Sequence, residues 1–467
     1  MLVFPKLNGI KRQSLTLSEF KGLDRRPAAT LNTLSEAVGI SSENFPALCT
    51  RKGRKTVFTA SSGEGITGIF SYDNVYVTTA CGGITRLYYG KDFSSLSLLY
   101  TANDGDRVSS MFCVFDNNLC LFNLRNTNNE SLMVSSIAAI DMPSRISAPL
   151  FNDIVVYKNR VFGCRNKQIR ACAYDDVTNW DYNLELENPG ERAFFKRLES
   201  KSEFVACTAY KNSALFFTAD EMFEIYGNDA DSFGFQKIAD LGCVNRNAVC
   251  EVGGVLYFLS KEGVVRYNGS SISLVSDAIC DPNLYDDAAV LGGGGRTLYV
   301  KMYGKSNDCL YTYDTQSELW SKEGMFSGNS AVFCGGKVYF TDGDRIYKMN
   351  TSYEDDAWEN DGNMFYWEAV TQDIHLDNPR KKQASKINVY VKRAIAGRIE
   401  LDVAYDNGGF RKLGSFFIEG SRTICVPLPN TKSEKIKIKV SGWGEAQIEY
   451  ISFDYTLGGE CRWQKQM

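Results

Sequence analysis

The feature that most restricts this 467-residue chain is a strand-turn-strand unit that recurs at near-constant spacing. It reads Tyr72-Asp73-Asn74-Val75-Tyr76, then Phe115-Asp116-Asn117-Asn118-Leu119-Cys120, then Tyr157-Lys158-Asn159-Arg160-Val161-Phe162. It returns around Lys211-Asn212, Gly253-Gly254, Gly294-Gly295 and Gly335-Gly336. Equivalent apolar positions are Tyr76, Cys120, Phe162, Phe216, Tyr257, Tyr299 and Tyr339, with gaps of 44, 42, 54, 41, 42 and 40 residues. Repeats of roughly 40–45 residues with this content are the mark of propeller blades, each a small sheet that hides its apolar faces only against its neighbours. The Asn, Asp and Gly pairs supply the positive φ that tight hairpins need. Seven repeats predict an all-β fold with a six- or seven-bladed β-propeller. An all-β stack of sandwiches with accidental spacing is the rival. The long gap before Phe216 holds a charged insertion, Asn183–Glu203, expected to project as a loop. The Gly292–Gly295 run lacks a following Lys-Ser/Thr and helix, so it is no phosphate loop. It is expected to be a flexible inter-strand loop.

The period changes near the end of the chain. An acidic, turn-rich stretch at 352–362 is followed by alternating strands at Ile387–Val391, Arg398–Val403, Ile436–Val440 and Gln447–Phe453. With the Asp406-Asn407-Gly408-Gly409 turn, these predict a β-sandwich. The expected organisation is a basic N-terminal arm at 1–60, a propeller at 61–351, an acidic linker at 352–362 and a sandwich with a tail at 363–467.

Charge is unevenly spread. Residues 1–60 carry ten Lys or Arg against four acids, a local +6 that leaves −10 for the remainder of a chain whose net charge is −4. A basic arm on an acidic body suits docking onto an acidic partner or DNA. Arg25, Arg26, Arg51, Lys52, Arg54 and Lys55 are therefore the candidate partner- or DNA-contacting residues, with a solvated segment as the plain alternative. The start of the chain reads as a poor secretory signal, and no stretch is apolar enough to cross a membrane as a helix, so no membrane partner is expected. The 14 cysteines lie in apolar runs without a CxxC pair and are read as small buried residues of a chain folded in a reducing cytoplasm.

Catalytic signatures are sparse. His375 is the only histidine, so triads using His and Cys/His metal clusters are not expected, and His375 itself is taken as structural. Asp175, Asp176 and Asp181 flank Trp180 and could form a sugar subsite; a turn with a packing tryptophan is the plainer reading. Asp229-Ala230-Asp231 and Asp342-Gly343-Asp344 could offer carboxylates to calcium but lack an EF-hand register, so turns are favoured. No cofactor and no catalytic or metal site is expected.

Both ends of the chain carry a likeness. Glu19-Phe20-Lys21-Gly22-Leu23-Asp24 and Ser42-Glu43-Asn44-Phe45-Pro46-Ala47-Leu48-Cys49-Thr50-Arg51-Lys52-Gly53-Arg54 resemble the opening of tailed-bacteriophage virion proteins. The run from Lys381-Lys382 through Gly442-Trp443-Gly444 to Ile448, Tyr450, Ser452 and Asp454 looks like their closing β-sandwich. In domain order the chain resembles the propeller tail hub, or nozzle, of short-tailed phages. That resemblance implies a non-enzymatic virion protein, made in the host cytoplasm, that forms a ring, typically sixfold, extending the DNA channel beside portal, adaptor and other tail proteins. It also implies transient, non-specific contact with DNA. The alternatives are a receptor- or carbohydrate-binding propeller at the tail tip and, less favoured, a propeller glycan hydrolase or lyase.

Overall fold

Each repeat folds as a four-stranded antiparallel meander, because its second strand is apolar on both faces and must be covered on both. The computed structural model describes residues 12–103, 110–124, 130–137, 143–183, 188–279, 288–303, 308–350, 359–375 and 381–457. Six meanders are free-standing sheets. Their innermost strands are Gly65–Ser71, Met111–Phe115, Asp153–Tyr157, Phe204–Tyr210, Val249–Val252 and Ser330–Cys334. A further meander begins with Val290–Gly294 and ends with Leu319–Met325, and its outer strand continues into a large sheet. Neighbouring inner strands touch in chain order, except that Phe204–Tyr210 meets the turn Arg246–Ala248 that leads into Val249–Val252, and the last touches the first. The ring thus closes through seven blades, numbered here from one at Gly65–Ser71 to seven at Ser330–Cys334, with the joined meander as blade six. The fourth strand of blade seven is Lys55–Thr59, from the other end of the chain, paired antiparallel to Arg345–Lys348.

All seven marker residues lie on second strands, and Tyr76, Cys120, Phe162 and Phe216 are fully buried. The turns follow the expected chemistry: Asp116-Asn117, Lys158-Asn159, Gly253-Gly254 and Gly335-Gly336 each place two successive residues at positive φ. Two local expectations are corrected. Gly292–Gly294 is no flexible loop but part of the inner strand Val290–Gly294. A Cβ on Gly293 would sit 2.1 Å from Val252 of blade five, and one on Gly292 2.7 Å from Ala331 of blade seven, so the glycines let crowded inner strands approach. The Asn183–Glu203 insertion is only partly a loop, because Phe194–Arg197 returns as the fourth strand of blade three. The loop before it is held down by buried Arg160, which donates to the carbonyls of Gly190, Arg192 and Cys172.

The C-terminal strands are far longer than their alternation suggests. Lys382–Tyr405 and Ile436–Leu457 pair along most of their length, with a register break between Ile395 and Arg398. The bend there folds one curled sheet over itself, so two layers arise from shared strands rather than from two separate sheets. Ile387, Val389, Ile399, Leu401, Val440 and Ile451 fill the space between. Most of the acidic 352–362 stretch lies outside the described residues; its described end forms the hairpin Glu359–Asn360 with Asn363–Met364.

The N-terminal segment is built into this sheet. Arg12–Leu17 and Leu48–Thr50 pair with Ile436–Leu457, and Leu34–Val38 lies between Tyr366–Thr371 and the outer strand of blade six. Leu17, Phe20, Leu23 and Leu34 share one core with blades four to six and the C-terminal sheet.

Candidate functional site

The basic residues of the N-terminal segment lie along the seam between propeller and C-terminal sheet. Arg26 makes a two-pronged pair with buried Asp24 at 2.9 and 2.8 Å, and Arg25 reaches Glu36 at 2.7 Å. Although burial works against the Asp24 charge, the hydrogen bonds and charge of Arg26 hold its carboxyl below the ordinary value. Lys52 pairs with Glu43 at 3.3 Å. Arg54 stacks over Phe326 at 4.8 Å. Lys55 is exposed at the start of the strand that closes blade seven.

Arg51 is different. It is buried, 3.6 Å from buried Glu323, over the ring of Phe365 at 4.1 Å, and donates to Asn360 at 3.3 Å. Desolvation lowers its pKa, and the Glu323 charge opposes that. As a surface contact Arg51 is therefore corrected: its cation is enclosed because three parts of the chain meet on it. Of the six candidates, Arg26 and Lys55 are the exposed ones.

A second feature was not singled out from sequence. At one end of the propeller axis lies a pocket of about 390 Å³. Arg246 reaches across it from the approach to blade five and donates to the Ser110 carbonyl of blade two at 3.3 Å. Asn247 donates to the Asn329 carbonyl of blade seven at 3.1 Å, and Thr67 and Ser110 share a hydroxyl contact at 3.3 Å. Asp153, on the same wall, accepts from the Cys207 amide at 2.8 Å. Burial pushes its carboxyl up to about 6, against the pull of the Arg246 charge and the amides of Cys207 and Ile154. A usable signal was present. Ten residues before each marker stand Ile66, Ser110, Asn152, Ala206, Asn247, Ala289 and Asn329. Polar residues at that offset, or beside it, build the pocket.

The other candidate residues singled out lie in turns or at the surface. Asp176 accepts from the amide and hydroxyl of Thr178, and Trp180 packs on Phe122 and Phe151 at 6.0 and 5.3 Å. These contacts make a turn with a packing tryptophan. Asp229 accepts from Ser232 in its own turn, and Asp342 accepts from Ser327. His375 is exposed beside the bridge between Ile374 and Ile436. The twelve described cysteines are free thiols, eight of them buried. Burial pushes Cys172 up to about 12, which leaves little thiolate.

No family model matches the chain, and no curated protein matches it. Among solved structures it is similar to the extracellular domain of a hybrid two-component system from B. thetaiotaomicron, at 10% identity and a TM-score of 0.45, over 78% of this chain and 47% of that one. The chain thus spans about half the length of that structure. It is also similar to the AfRom2 CNH domain, at 9% identity and a TM-score of 0.39, over 64% of this chain and all of that domain. An exported protein of Bacteroides fragilis matches at 9% identity and a TM-score of 0.33, over 52% of this chain and 81% of that one.

Proposed function

We propose that this chain is a non-enzymatic building block of a bacteriophage tail, a ring-forming hub or nozzle that extends the DNA-ejection channel and docks portal, adaptor and other tail proteins. One observation carries the reading: the N-terminal strands from Arg12 to Thr50 and the C-terminal strands up to Leu457 are woven into the 14-stranded sheet that also takes in blade six, so propeller and C-terminal sheet form one stiff body. The residues behind the virion-protein resemblance are those that hold this seam. Phe20 donates to the Pro46 carbonyl, Leu23 to that of Trp320, and Arg51 to that of Gly39.

In this proposal DNA runs through the centre of the ring and not through the propeller, whose axis Arg246 crosses. A body carrying −10 beyond residue 60 would line the conduit with charge that lets phosphate slide. The exposed Arg26 and Lys55 would face neighbouring proteins or DNA. The test is mass photometry and negative-stain imaging of the purified chain. A ring is expected, sixfold by the resemblance, built from 52.2 kDa subunits. A species that stays monomeric at micromolar concentration and joins no tail particle would overturn the proposal.

A further inference from the structure

The outer face of the C-terminal sheet carries a row of rings that has no part in a purely structural role. Strand register sets Tyr366 opposite Trp443, Trp443 opposite Arg398 and Arg398 opposite Phe417, so these side chains line up across four strands. Tyr366 and Trp443 pack at 5.2 Å, and the Arg398 guanidinium lies over the Trp443 ring at 5.7 Å. Phe417 is the most exposed large apolar side chain among the described residues. Together with Met364, the side chains of Trp443, Arg398 and Phe417 line a groove of about 740 Å³. Beside the rings, on the same face, runs a polar row in the same strand order: Glu368, Ser441, Glu400 and Ser415. We propose that this face binds a neutral, linear oligosaccharide, its sugar rings stacked on the aromatic row and its hydroxyls bonded to the carboxylates beside it.

Charge and shape set the ligand class. Lys439 pairs with Glu368, and Arg398 and Lys412 both pair with Glu400, so each charge in the two rows already has its counter-charge on the protein. A polyanion would meet Glu368 and Glu400, and a polycation would meet Arg398 and Lys412. A neutral ligand disturbs neither pair. The carboxylates also have hydrogen-bonding capacity to spare. Glu400 takes Arg398, Lys412 and Ser415 on Oε1, and Glu368 takes Tyr366 and Lys439 on Oε2, which leaves the second oxygen of each for a hydroxyl. The two acids stand two strands apart, about 10 Å, which is more than one sugar ring spans. A wholly apolar partner would cover those oxygens unbonded, at a cost. A sugar chain brings both complements, C–H faces for the negative faces of the rings and hydroxyls along its edges. The groove volume lies within the range of small-molecule sites. Strand addition by a protein is the rival, since Arg411–Ile418 is a sheet edge. An added strand would run along that edge, however, and reach only Phe417 of a row that crosses four strands.

The test is calorimetric titration of the full chain at neutral pH with cellohexaose, maltohexaose and chitohexaose, and with hexagalacturonate and a thymidine hexanucleotide as charged controls. At least one neutral hexamer is expected to bind, about tenfold or more tighter than its own monosaccharide, because a single ring covers only part of the row. Phe417→Ser should weaken that hexamer about tenfold while leaving the melting temperature unchanged. Trp443→Leu should abolish binding, and if it does not fold, Phe417→Ser decides. No heat from any neutral hexamer, tighter binding of either charged control, or undiminished binding by Phe417→Ser would each sink the assignment. So would a Phe417→Ser chain that loses self-assembly but keeps its glycan affinity, since the row would then be a contact between copies. A ring that forms without binding glycan would leave the tail proposal standing, and a monomer that binds glycan would do the reverse.

Discussion

Gly293 has no room for a side chain, since Val252 lies 2.1 Å from where its Cβ would stand. Gly293→Ala should therefore cost about 1–3 kcal/mol through overpacking, read from urea unfolding. Gly65→Ala, with nothing nearby, should change stability by less than about 0.5 kcal/mol. Arg51 makes a second case. Arg51→Ala strands the buried Glu323 carboxylate and should cost about 3–5 kcal/mol, whereas the Arg51→Met, Glu323→Met double variant should come close to wild type. Asp153 adds a pH dependence. Its folded pKa, about 6, lies above the roughly 3.9 of an unfolded chain. The folded state then binds the extra proton between those values, so stability falls as pH rises from about 4 to about 6, by on the order of 2 kcal/mol. Denaturation midpoints across that window should show the slope in wild type and lose it in Asp153→Asn. These residues were hard to read in sequence for a common reason. A glycine run looks alike whether it supplies slack or close approach, and only the neighbouring blade decides which. Arg51 looked like surface charge because its partners, Glu323 and Phe365, are about 300 residues away.

At the level of elements, the second strands were the legible part. Apolar on both faces and preceded by turn pairs, they announced every blade from Tyr76 to Tyr339. The closing strand Lys55–Thr59 was not legible, since its alternation is no stronger than that of an isolated extended segment and its partner comes from Arg345–Lys348. A chain beginning at residue 61 loses that strand together with Leu17, Phe20, Leu23 and Leu34 from the shared core. It should lose a cooperative thermal transition, and a separate 12–60 fragment should restore one, followed by circular dichroism. The edge strand Arg411–Ile418 gives the opposite expectation. Phe417 on it is 78% exposed, so Phe417→Ser should shift stability by less than about 0.5 kcal/mol in the same melt.

Across the whole molecule, the class of fold followed from periodicity, whereas the joining of its parts did not. Alternation marked Ile387–Val391 and Arg398–Val403 as separate strands because a bend interrupts the pattern near Gly397. Hydrogen bonding runs through that bend and makes them one. The axial pocket was hidden likewise, because it draws one or two residues from each of several blades and no stretch of sequence contains it. The arrangement of the ends bears on how the protein is made. Residues 12–59 are translated before the propeller, yet apart from the pairing of Ile40–Ser41 with Leu48–Thr50 every strand they join is made some 260 residues or more later. This stretch must wait, most of its strand edges unpaired, while six blades are synthesised. Pausing or premature release late in translation would thus leave an open ring with a sticky unpaired segment, the state a chaperone would have to shield.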